Sequence, residues 1–238
     1  MDVFMLVVIG FVILILWLIK KGKTANEIDW GSPSINVIDG LMRLYCRSFQ
    51  RLQADPLELP KEGGVLVVCN HITGLDPLIK LTACKRPLRY LIAKEEYDRP
   101  ILHRLYKGVG CIPVERTGRP EIAFRAAIKA LKNGEAIALY PHGGIHADDW
   151  GHRTIKAGVF RLSDLTDAEI IPTRLTGIRR PGSSFSPLFL RGNVKLQVFP
   201  KLEKGFSKRP DAKQQLGDLL LGRIPAIEKL PEQPHKEQ

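Results

Sequence analysis

The chain has 238 residues, 44% of them hydrophobic, and its 36 Lys and Arg outnumber 25 Asp and Glu to leave a formal charge of +11. That length suits one anchored globular domain and is short for two, while the charge asks for an anionic partner: nucleic acid, an acidic lipid surface or a phosphorylated substrate. Cys46, Cys69, Cys84 and Cys111 form no C-x-x-C pair, so neither a zinc knuckle nor a dithiol redox motif is indicated, and they read as reduced thiols of a cytoplasmic domain.

Residues 3–19 carry no charge, and as a helix they span about 25 Å, slightly under the ~30 Å hydrocarbon core. A cleaved signal peptide wants a positive start and a small-residue cleavage site; here Asp2 precedes the run and Lys20, Lys21 and Lys23 follow it. The segment therefore reads as a single-pass membrane anchor with the remaining chain on the cytoplasmic side. A polar linker over residues 21–34 leads to an amphipathic helix over 35–52, with Ser34 as N-cap and Ile38, Leu41, Met42, Tyr45, Phe49 and Leu52 on one face. Arg43, Arg47 and Arg51 recur on another face, a pattern suited either to anionic headgroups or to a solvated surface.

From residue 64 onward short apolar runs alternate with helical stretches: 64–70, 88–94, the IPV of 112–114, 136–141, and the later runs IIPTRLTGI and VKLQVFP as strands; 77–85, a segment ending near Gly108, and 120–134 as helices. The strand runs lack period-2 alternation, the mark of strands covered on both faces. The expected fold is α/β, a mixed, mostly parallel sheet flanked by helices and preceded by the membrane anchor and amphipathic helix.

In CNHITGLDP, residues 69–77, a strand ends in a loop and a helix begins, with Asp76 as N-cap and Pro77 at the first helical position. A turn of this length lets the Asp76 carboxylate fold back on His71, which makes a general base and its orienter. The chain has no G-x-S-x-G elbow, so His71 would activate an acceptor hydroxyl directly. The same residues also suit a helix cap beside a polar loop, and the spacing alone does not choose. Arg116 follows a short apolar run, where its guanidinium can fork onto phosphate oxygens. Gly143 and Gly144 end the run YPHGG in a turn whose backbone N–H groups can approach an anion closely.

In combination these stretches resemble the glycerolipid acyltransferase family that includes the 1-acylglycerol-3-phosphate acyltransferases, over about residues 65–177. Asn70, His71 and Asp76 match its N-H-x4-D motif; Gly110, Ile112, Pro113 and Arg116 match its G-x-I-P and following Arg; Lys156 and Gly158 match K-x-G, and Pro172 the late strand proline. With the patterns above, the resemblance divides the chain into an anchor over 1–20, a linker and interfacial helix over 21–60, an acyltransferase domain over 61–222 and a polar tail over 223–238, of which only the third is what the resemblance implies. It also implies transfer of an acyl group from acyl-CoA or acyl carrier protein to a lysolipid hydroxyl, with no metal, no other cofactor and no covalent enzyme intermediate. His71 and Asp76 would be catalytic; Asn70, Arg116, His142, Gly143, Gly144 and Lys156 would bind substrate beside an anionic membrane surface.

The third motif departs from the family's F-P-E-G-T-R: Tyr140, Pro141, His142, Gly143, Gly144 and Ile145 stand there. Losing the arginine removes a phosphate partner, and imidazole in place of carboxylate changes which acceptor groups are hydrogen-bonded. A lyso-aminolipid or other glycerolipid acceptor, or a lipid-binding protein without catalysis, are the alternatives this raises. His142, His146, Asp148, Asp149 and His152 crowd together, but Gly143 and Gly144 argue against a helix that would align them on a metal. His146, His152 or Arg153 fit polar contacts in the acceptor pocket or an exposed loop. No helix-turn-helix, zinc-finger or RNP signature accompanies the basic charge, which argues against a nucleic-acid partner.

Overall fold

The computed structural model describes residues 2–115, 117–146 and 154–227. Helix α1 (Val3–Ala25) is long and apolar enough to cross a membrane: an 18-residue stretch of it has mean hydropathy 2.9 and no residue buried in the rest of the molecule. The helix does not stop with the apolar run: it continues through Lys20, Lys21 and Lys23 and packs against α2 (Pro33–Ser48). Close approach of these two helices requires glycine, since a Cβ on Gly40 would collide with the Gly22 carbonyl. Asn26, which ends α1, donates from Nδ2 to the Asp39 carboxylate at 2.9 Å.

The start of α2 differs from the sequence reading. Pro33 occupies the first turn and Ser32, not Ser34, is the N-cap residue, because proline is pre-shaped for N1 and lacks the N–H that a cap would satisfy. The expected arginine face also changes. Arg43 is buried at 1% exposure, donates to Asp39 and Glu27, and reaches the carbonyls of Thr82 and Cys84. It ties α2 to the end of α3 (Asp76–Ala83) rather than facing lipid. Arg47 pairs with Glu27 and Arg51 donates to Asn193, so no stripe of unengaged arginines remains.

The sheet is mixed and mostly parallel. Its strands are β1 (Gln53–Ala54), β2 (Val65–Cys69), β3 (Leu88–Ala93), β4 (Ile112–Val114), β5 (Ala136–Leu139), β6 (Glu169–Thr176) and β7 (Lys195–Val198), in the order β1-β7-β6-β2-β5-β3-β4. β2 through β6 run parallel, and β7 is antiparallel to β6. Helices α4 (Lys94–Tyr97), α5 (Pro100–Gly108), α6 (Pro120–Lys132), α7 (Gly158–Thr166) and α8 (Ala212–Leu221) complete the element order.

Both faces of β2 are covered, which is why its sequence is uniformly apolar. Leu66 and Val68 pack with Ala123, Ala127 and Leu131 of α6, Val159 and Leu162 of α7, and Leu216 and Leu220 of α8. On the other face Val65 and Val67 join Leu88 and Tyr90, and Cys69 packs with Ile79 of α3 and Cys46 of α2. All four cysteines are free and buried. Because β2 to β6 are parallel, their carboxyl ends open on one side of the sheet, the side where α/β sheets bind ligands.

Candidate active site

His71 lies two residues past the end of β2. Its parity is that of Val65, Val67 and Cys69, so the alternation of the strand directs it toward the α3 side. Tyr140 is the first residue after β5, and because Val68 pairs with Leu139 it continues the register beside Cys69, on the same face as His71. The two rings stack with centroids 3.8 Å apart and planes 16° from parallel.

Asp76 is fully buried, and its carboxylate holds the loop together. Oδ2 accepts from His71 Nδ1 at 2.8 Å and from the Ile72 amide at 2.7 Å; Oδ1 accepts from Thr73 Oγ1 at 2.8 Å, and the Thr73 amide also donates to the carboxylate. Asp76 is the first residue of α3, with Leu75 as its cap residue, so the expected N-cap role is replaced: the carboxylate turns back to the loop amides. With Nδ1 donating to Asp76, His71 Nε2 carries the lone pair, and it makes no hydrogen bond among the described residues. The side chain is 17% exposed, enough for a reactant to reach it. Thr73, which the sequence reading passed over, is detectable in retrospect as a hydroxyl three residues before an acidic helix start.

Asn70, expected to bind substrate, makes a tie to β6 in the structure. Its amide accepts from the Leu175 N–H at 2.8 Å and donates to the Leu175 carbonyl at 2.9 Å, and the residue is 1% exposed. Both ends of the carboxamide are thus spent on β6, which anchors the residue next to His71. The glycine turn does come to the site: the His146 amide donates to the His71 carbonyl at 2.6 Å and Lys156 N–H to the Pro141 carbonyl at 2.9 Å. Gly143 has φ +80°, and a Cβ there would collide with the Lys156 ammonium. Lys156 and Gly143 are therefore in contact, and the Gly144 amide donates to no acceptor among the described residues.

His142 is buried at 3% exposure with its ring 6.4 Å from that of His146. Among the described residues no group of three His, Cys, Asp or Glu is placed to hold a metal ion. Arg116, Asp148, Asp149, His152 and Arg153 lie outside the described residues. Glu115, immediately before Arg116, follows the carboxyl end of β4 and pairs with Lys94.

Lys80 was not singled out by sequence. It follows Asp76 by four residues and so shares its face of α3. Its side chain is fully buried, and Nζ has no hydrogen-bond acceptor among the described residues. Nζ stands 3.5 Å from the centre of the Tyr140 ring and 5.5 Å from that of Tyr90. Burial pulls the Lys80 ammonium down to about 8, against the opposing attraction of Asp76. Burial likewise pushes the Tyr140 phenol well above its ordinary range.

A family model described as Acyltransferase matches residues 54–176, more than half of the chain and all of the segment just described. The chain belongs to the acyltransferase family. Among similar proteins, the 1-acyl-sn-glycerol-3-phosphate acyltransferase of Bacillus subtilis is 24% identical over 66% of this chain and 76% of its own length. That of Neisseria meningitidis serogroup B is 25% identical over 74% and 72% respectively. A protein of Arabidopsis thaliana named N-acylphosphatidylethanolamine synthase is 26% identical over 65% of this chain and 53% of its own length. The crystal structure of the 1-acyl-sn-glycerophosphate (LPA) acyltransferase from Thermotoga maritima shares the fold, with TM-score 0.61 over 82% of this chain and 83% of that one at 18% identity. As a member of this family the chain is an acyltransferase, similar over most of its length to proteins named 1-acyl-sn-glycerol-3-phosphate acyltransferases.

Proposed function

We propose that this acyltransferase moves a fatty acyl group from the thioester of acyl-CoA or acyl carrier protein to the free hydroxyl of 1-acylglycerol-3-phosphate. The observation that carries this reading is the 2.8 Å bond from His71 Nδ1 to a buried Asp76, with Nε2 left as an available base. His71 Nε2 takes the proton of the acceptor hydroxyl as its oxygen attacks the thioester carbonyl carbon. The C–S bond of the tetrahedral intermediate then breaks, and the imidazolium returns the proton to the departing thiolate. Asp76 holds the tautomer and stabilises the transient imidazolium, which is the division of labour in His–carboxylate pairs generally.

Lys156, the Gly144 amide and Arg116 are the groups we assign to the acceptor phosphate, and His142 and His146 to the wall of its pocket. No metal or other cofactor is needed in this scheme. Lys20, Lys21 and Lys23, beside the apolar span, support a catalytic domain on the cytoplasmic side, where they would supply charge toward anionic headgroups. An amphiphilic acceptor then reaches His71 without leaving the bilayer.

A second reading, an acceptor other than 1-acylglycerol-3-phosphate, is favoured by the turn in which His142 and Ile145 replace glutamate and arginine, and by the similarity to the plant protein. The test is mass-spectrometric product detection with both donors and a panel of lysolipids, alongside His71→Ala. Acylation of 1-acylglycerol-3-phosphate that falls by a factor of about 10² to 10⁴ in the variant is expected. Acylation of a phosphate-free acceptor only would replace the first reading by the second.

A further inference from the structure

His71 and Lys80 both lie within 4 Å of the centre of the Tyr140 ring, one stacked and the other over its face. Two groups that close cannot share one face, so they flank the phenol: imidazole, ring, ammonium. The other groups facing Lys80 are Asp76 from its own helix, Cys69 from β2 and Tyr90 from β3. Arg43 of α2 meets α3 at its far end, at the carbonyls of Thr82 and Cys84. Facing His71 are Asp76, Tyr140 and the backbone of His146.

A buried ammonium without an acceptor is costly to keep, and an apolar side chain of the same length would fill the space at no such cost. The mechanism above gives it a use. A carboxylate hydrogen-bonded to imidazole favours the imidazolium, whereas a general base must be neutral before it reacts. A cation behind the stacking partner acts in the opposite direction, through a low-dielectric layer where its field is poorly screened.

We propose that Lys80 is a positioning residue of the acyl-transfer site: its ammonium, on the face of Tyr140 away from His71, holds the ring on which the base is seated and sets behind it a positive charge that opposes the pull of Asp76. This rests on His71 being the base. The buried Lys80 still carries its charge at pH 7, since it loses its proton only near 8.

The experiment follows the His71 ring signals by NMR in the full-length, histidine-labelled protein in detergent micelles, with His71→Ala used to assign them. Lys80→Met is compared with the parent chain, after a thermal melt has shown that it folds. The His71 titration midpoint is expected to rise by about one pH unit in Lys80→Met. In acyl-CoA assays with 1-acylglycerol-3-phosphate, the acid limb of the kcat/KM profile should rise by the same amount, a roughly tenfold loss on that limb. Tyr140→Phe, which keeps the ring and removes the hydroxyl, is expected to leave the midpoint in place. An unmoved midpoint in Lys80→Met, or an equal shift in Tyr140→Phe, overturns the proposal. A midpoint that moves in Lys80→Met while the parent protein transfers no acyl group to any acceptor would instead overturn the base assignment on which the proposal rests.

Discussion

Arg43 and Lys80 are the two bulkiest side chains fully closed off from solvent among the described residues, and each carries a positive charge into an apolar setting. Around Arg43 each of the three guanidinium nitrogens has an acceptor: two carboxylates and two carbonyls meet one planar group. Around Lys80 there are aromatic faces and a carboxylate already committed to His71, Ile72 and Thr73. Arginine's fixed fork suits a structural clamp, while a lysine without partners remains a titratable point charge. The difference teaches that burial of a cation is not one phenomenon. One region ties the anchor helices to the catalytic domain; the other places charge where a proton is to be moved.

The contrast is broken most severely at the clamp. Arg43→Met leaves Asp39 buried without its cation and two carbonyls unanswered, and is expected to cost about 3 to 5 kcal/mol, read as a large drop in melting temperature in detergent. Gly40→Ala attacks the same region sterically, forcing α1 and α2 apart, with an expected loss of about 1 to 3 kcal/mol. Lys80→Met has the opposite sign. Removing an unsatisfied buried charge should leave stability at pH 7 unchanged or raise it by about 1 to 3 kcal/mol.

The pH dependence sharpens this further. Lys80 is depressed from 10.5 to about 8, so between those values the unfolded chain binds the proton that the folded chain has lost. Stability from this group therefore rises with pH across that window. Cys46 and Cys111, pushed up to about 11 by burial, work in the reverse sense above 9. The measurement is accordingly the difference between parent and Lys80→Met in denaturant unfolding from pH 7 to 10, where the parent should gain on the variant. The smallest effect is expected at Arg47→Ala: that side chain is 46% exposed in its pair with Glu27, and its loss should cost less than about 1 kcal/mol.

Much of the architecture was legible in the order of residues. Apolar runs of strand length punctuated by proline-initiated and glycine-terminated helical stretches have few solutions other than a covered parallel sheet, and the apolar run of 3–19 admits few environments other than lipid. His71 and Asp76 could be paired because the chain between them is too short to take them far apart. Helix periodicity identified the faces of α2 but not what covers them, so Arg43 read as either a headgroup contact or a solvated side chain when it is buried against the end of α3. Asn70 was read with its neighbour His71, yet its partner Leu175 lies on a strand more than a hundred positions away.

By itself the sequence determined the α/β class and the apolar helix at the start, and it offered the short-range pair at the end of β2, all of which depend on local periodicity or on a loop of a few residues. Only the tertiary structure decided that Tyr140 stacks on His71, that Lys80 lies against the ring's other face, and that Lys156 meets Gly143. Those contacts join separate strands and helices, and their distances depend on sheet order and packing that no spacing along one chain encodes.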